Sequence, residues 1–156
     1  MLWLRRVEPV LRPLIHLWFR LKRGLTLGVR GLAVDGEGRV LLIQHTYVPG
    51  WHLPGGGVER RETAELALAR EMREEAGLRI LGRPELLSVH SNDPNHRGDH
   101  VLFYRVRAWE PCAPAAQGEI HEIGWFAPDA LPETTTAATR RRIAQALSGE
   151  QSDPMW

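Results

Sequence analysis

The chain has 156 residues, of which 43% are hydrophobic and 25% charged. That mix excludes a disordered chain, a collagen-like repeat and a disulfide scaffold, and it suits one domain with a real core. A single cysteine, Cys112, excludes an internal disulfide and fits a reducing compartment such as the cytoplasm. The net charge of +1 argues against a globally basic nucleic-acid binder, so no DNA partner is expected.

The charge is unevenly placed. Residues 1–30 carry seven basic side chains and one acid, whereas residues 31–156 carry thirteen and eighteen. Within 1–24, Leu4, Val7, Leu11, Leu14, Trp18 and Leu21 recur at helical spacing, which predicts an amphipathic helical extension ahead of the main domain. Its uncharged stretch, 13–19, is far short of the about 20 apolar residues a membrane span needs. Two uses fit such a helix. It packs on its own domain or on a second copy in a homodimer. Alternatively it lies on the inner face of a membrane, with its arginines on anionic lipid.

The main domain is expected over 25–150. Residues 25–34 and 39–45 are apolar runs flanking Asp35-Gly36-Glu37-Gly38, which predicts a hairpin. Residues 46–62 read as a glycine- and proline-rich loop. Thr63 is a candidate N-cap, 64–76 is rich in helix formers, and Gly77 is a natural stop. Strands are expected at 78–90, 100–109 and 119–126, and a last helix at 134–147 with Arg140, Arg141 and Arg142 on its solvated side. Residues 151–156 are expected to fray. Alternating strands and helices without repeats predict a single α+β domain.

The chemistry concentrates at 55–78. Glu71, Glu74 and Glu75 share an arc of roughly 100° on a helix. Such crowding is unfavourable unless something offsets it. A hard divalent cation with oxygen ligands would do so. Solvated acidic triplets are also common on exposed helices. Met72, Leu68 and Ala76, beside that arc, would anchor the helix to the core. Gly55, Gly56 and Gly57 permit close approach of backbone to a metal or a phosphate.

Gly56, Glu62, Arg70, Glu71, Met72, Glu74, Glu75, Gly77 and Leu78 meet every fixed position of the Nudix box, so residues 25–147 resemble the Nudix hydrolase family. The lead-in from Trp51 to Glu59 is similar too. Arg61 departs from the family, where many members have glycine before the first glutamate. The resemblance implies the Nudix fold, a mixed β-sheet sandwiched between α-helices. It implies a Mg²⁺- or Mn²⁺-dependent pyrophosphohydrolase acting on a small nucleotide, either of the ADP-ribose or nucleotide-sugar type or a nucleoside triphosphate. Glu71, Glu74 and Glu75 would hold metal, with the Gly55 carbonyl, while Gly56, Glu62, Arg70 and Gly77 would brace the box. The catalytic base would be Glu71, Glu74 or a loop acid, with Glu119 favoured over Glu122. Outside the box, Trp51 and His52 could stack on a base and Arg97 could reach a phosphate. Pro94 lies near the spacing seen in ADP-ribose pyrophosphatases. Alternatives are a nucleotide-binding module with little turnover and an RNA 5′-end pyrophosphohydrolase.

Overall fold

A computed structural model describes residues 18, 24–93, 95–113, 118–149 and 153–156. The helix expected over 1–24 and the residue Pro94 therefore lie outside the described residues, except that Trp18 is helical and exposed. The elements are β1 (Thr26–Ala33), β2 (Val40–His45), β3 (Trp51–His52), α1 (Ala64–Ala76), β4 (Leu78–Ile80), β5 (Glu85–Ser91), β6 (Asp99–Val106), β7 (Trp109–Pro111), β8 (Ile120–Phe126) and α2 (Ala137–Ser148). This is an α+β arrangement. β1 pairs in parallel with β6, which pairs antiparallel with β5; β2 lies between β3 and β8; β4 pairs with β7.

The expected hairpin is corrected. Its turn forms: the Asp35 carboxylate accepts from the Glu37 and Arg39 amides, both at 2.9 Å, and from Arg39 Nε at 2.8 Å. Beyond the turn the two runs pair only at the Val34–Val40 bridge, and the strands join different sheets. The reason is burial on both faces. Val40, Leu41, Leu42 and Ile43 are all at most 1% exposed. A free two-stranded hairpin leaves at least one face wet, so each run takes other neighbours and both of its faces are covered.

α1 follows local rules. Thr63 Oγ1 accepts from the Leu66 amide, and Gly77 closes the helix in the left-handed conformation, its N–H bonded to the Met72 carbonyl. Ala67, Leu68, Met72 and Ala76 pack with Val29, Leu41, Ile43 and Tyr104 in one core cluster. That packing fixes how α1 is rotated, and so which acids face β1. The strand expected at 78–90 is broken at Gly82 into β4 and β5, and 100–109 likewise divides into β6 and β7.

The C-terminal expectations are also corrected. α2 begins at Ala137, with Thr136 as its N-cap. Arg142 is fully buried, not solvated, because α2 turns that face inward together with Ile143. Residues 153–156 do not fray. The Ser91 amide donates to Pro154 and the Trp156 amide to the Ser91 carbonyl, both at 2.8 Å, so the tail extends the β5 edge. No helix among the described residues is long and apolar enough to cross a membrane.

Candidate active site

The segment 54–58 runs along β1 on the side away from β6. Gly31 donates to the Pro54 carbonyl, Val29 to Gly56 and Val58 to Leu27, at 2.8–2.9 Å. Gly55 has φ 140°, and a Cβ there would stand 2.0 Å from the Val29 carbonyl oxygen. At Gly56 a Cβ would lie 2.4 Å from Glu71 Oε1. Only glycine lets this backbone pass between β1 and the acids of α1.

The result is a cleft of about 330 Å³ lined by the Gly55–Gly57 backbone, Glu71, Glu75, Glu119, Arg30 and the side chains of residues 45–52 that face it. Its deepest acid is Glu75, whose Oε2 accepts the Gly55 amide at 2.8 Å and whose Oε1 lies 3.8 Å from His45 Nε2. Burial pushes the Glu75 carboxyl up to about 7; Glu71 and Glu119 add to this, while the Gly55 amide and Arg30 oppose it. Burial lowers His45, with Arg30 and His52 contributing, so its imidazole is held neutral. His45 Nδ1 is buried without a partner among the described residues.

Arg70 sits behind the cleft wall. It donates through Nε and Nη2 to the two Glu62 oxygens at 3.0 and 3.1 Å, to the Gly57 carbonyl at 3.1 Å, and through Nη1 to Glu71 Oε1 at 2.7 Å. Glu62 in turn accepts the Glu59 amide. These contacts tie the loop to the helix and hold the Arg70 guanidinium more firmly protonated than usual, Glu62 contributing most. Arg61 adopts φ 68°, a conformation glycine takes more readily, so arginine at this position carries a local backbone cost.

The three box acids do not converge. Glu71 and Glu75, four residues apart, face the cleft; Glu74 does not line it and stands 3.5 Å from both Arg70 and Arg73. Among the described residues, no three His, Cys, Asp or Glu side chains are gathered tightly enough to hold a metal by themselves. The donor chemistry still suits a hard cation: two carboxylates, a nearby backbone carbonyl at Gly55, and a buried acid whose ionisation a positive charge would favour.

Other expected residues divide. His52 lines the cleft, its Nε2 bonded to the Pro49 carbonyl at 3.1 Å. Glu119 lies at the rim, exposed, while Glu122 is exposed on β8 opposite Gln44. Trp51, expected to stack on a base, is corrected to a core residue: it is 7% exposed and meets Phe126 edge-on at 4.8 Å. Arg97 is exposed and does not line the cleft; its neighbours are held by local bonds, Asn95 Nδ2 donating to Asn92 and the Gly98 amide to Asp93. Sequence reasoning missed Arg30, His45 and Tyr47. Arg30 left one available signal, a lone cation inside an otherwise apolar strand.

The profile of the NUDIX domain matches residues 24–147. A MutT-like protein of Streptomyces ambofaciens is 33% identical over 80% of this chain and 78% of its own. An 8-oxo-dGTP diphosphatase of Proteus vulgaris is 32% identical over 51% of this chain and 74% of its own. The crystal structure of a MutT NUDIX hydrolase from Burkholderia pseudomallei superposes with a TM-score of 0.66 at 33% identity, covering 77% of this chain and 96% of that one. With the box, the cleft and these likenesses together, the chain belongs to the Nudix family and is a Nudix hydrolase, of the pyrophosphohydrolase kind.

Proposed function

We propose that the cleft hydrolyses the diphosphate linkage of a small nucleotide with Mg²⁺ or Mn²⁺, nucleoside triphosphates being the first candidates and ADP-ribose-type compounds the second. The observation that carries this reading is that Glu71 and Glu75, one helical turn apart, line one cleft together with the Gly55–Gly57 backbone. Glu71, Glu75 and the Gly55 carbonyl would hold the cation. Bound there, it would supply neutralisation of diphosphate charge and acidification of a water. Glu119, an exposed acid lining the same cleft, would serve as the general base. His52 and Tyr47 offer flat faces on the same side of the cleft for the base or sugar. The order of candidates follows the likeness to the protein named as an 8-oxo-dGTP diphosphatase. The sequence support for ADP-ribose was weaker, since Pro94 lies outside the described residues and Arg97 away from the cleft.

The test is turnover with Mg²⁺ across nucleoside triphosphates, 8-oxo-dGTP, ADP-ribose, nucleotide sugars and a 5′-triphosphorylated oligonucleotide, with Glu75→Gln alongside. Release of phosphate or pyrophosphate by the wild type, and its loss in the variant, is the expected outcome. Binding without turnover on every compound would replace the reading with that of a nucleotide-binding module.

A further inference from the structure

We propose that Arg30 forms a phosphate subsite on the floor of this cleft, gripping an oxygen pair of the substrate's diphosphate through its free guanidinium edge. Among the described residues lining the cleft, Arg30 is the one arginine or lysine. It lies in the middle of β1, outside the box. Its Nη1 donates to the Leu53 carbonyl at 3.1 Å and to the Gly55 carbonyl. Nε and Nη2 make no hydrogen bond to any described residue. The group is thus clamped at one corner and open along an edge whose two N–H vectors suit two oxygens side by side.

The electrostatics agree with that geometry. Glu75 and Glu71 are close enough to act on Arg30 through space, yet neither forms an ion pair with it. A half-buried guanidinium that touches neither acid keeps one edge for an anion arriving from solution. A pure brace for the Gly55 carbonyl would need only Nη1. The diphosphate identity of the anion rests on the function proposed above; the free cationic edge does not.

The test uses methylenediphosphonate, a diphosphate that cannot be hydrolysed at its bridge, titrated calorimetrically into the full chain at saturating Mg²⁺. Arg30→Gln keeps a polar amide but removes the charge, and Arg30→Lys keeps the charge but loses the planar fork. Arg30→Gln should weaken phosphonate binding by about tenfold or more, the loss of one charge-assisted contact. Arg30→Lys should fall between it and the wild type. Mn²⁺ affinity without phosphonate should be no weaker in Arg30→Gln, since a competing cation has gone. Equal phosphonate binding by wild type and Arg30→Gln would overturn the subsite, as would a wild type that does not bind phosphonate. Parallel loss of phosphonate and Mn²⁺ binding in both variants would also overturn it, showing that Arg30 only supports the Gly55 loop. A wild type that binds phosphonate through Arg30 but turns over no nucleotide would remove the hydrolytic reading and leave the subsite standing.

Discussion

Glu75 and Arg142 are both buried charges, and the fold treats them in opposite ways. Around Arg142 the polar partners are nearly complete. Nη1 meets the His90 ring nitrogens at 2.8 and 3.0 Å and the Asp153 carbonyl at 3.3 Å, Nη2 meets the Met155 carbonyl at 2.8 Å, and the guanidinium lies 5.7 Å from the Trp156 ring centroid. His90 is kept neutral by burial and then by Arg142 itself, and its ring also contacts Ser88 Oγ. Around Glu75 there is one amide and a distant imidazole, and the space beyond is open cleft. A charge whose partners are supplied by the chain holds the chain together. A charge left short of partners at a cleft is set for something that arrives from solution.

The contrast can be broken at either end. The largest effect is expected at Arg142→Met, which strands two tail carbonyls and the His90 ring. It should cost about 3 kcal/mol in urea unfolding, since each polar group left buried without a donor costs about 1–3 kcal/mol, while turnover per folded molecule is retained. A variant with wild-type stability would show that the tail needs no cation beneath it. Next comes Glu75→Gln. It should lower turnover by about 10² or more, yet leave the metal-free protein at least as stable, because a neutral amide replaces a desolvated acid. Loss of stability together with activity would make Glu75 a structural residue like Arg142.

The pH profile sharpens the comparison because the two groups have opposite signs. Glu75 is raised from 4.5 to about 7, so metal-free stability should fall as pH rises through that window and the buried acid is forced to ionise. His90 is depressed below 6.5, so stability should fall as pH drops below 6.5, when only the unfolded chain accepts the proton. Thermal melts of the metal-free protein from pH 4 to 8 should therefore show Glu75→Gln gaining on the wild type along the limb from pH 4.5 to about 7. Saturating Mg²⁺ should flatten the same limb in the wild type. The smallest effect belongs to Glu74→Gln. Glu74 pairs with Arg70 and Arg73 outside the cleft, so the change should cost less than about tenfold in turnover, as weakening a partly exposed pair would. A loss equal to that of Glu75→Gln would mean that Glu74 enters the site when metal binds.

Much of the site was legible in residue order. The bounds of the box helix follow from residue order, because Thr63 and Gly77 cap it through contacts within a few residues. The nine box positions marked the family for the same reason: they lie in one continuous segment. Where the reading failed, the deciding partner lay far along the chain. Two apolar runs beside a good turn look the same whether they pair with each other or, as here, with β6 and β8. Arg142 stands in a run of three arginines that reads as a solvated face, and its burial depends on His90, 52 residues earlier.

Residue order by itself determined the family, the capped acidic helix and the glycines that let a backbone pass close to it, since each rests on short-range sterics and hydrogen bonding. Only the tertiary structure decided which acids face the cleft, that Trp51 is core, and that Arg30 stands opposite Glu71 and Glu75. Those outcomes depend on how α1 is rotated against β1 and β2, and core packing between distant segments sets that rotation.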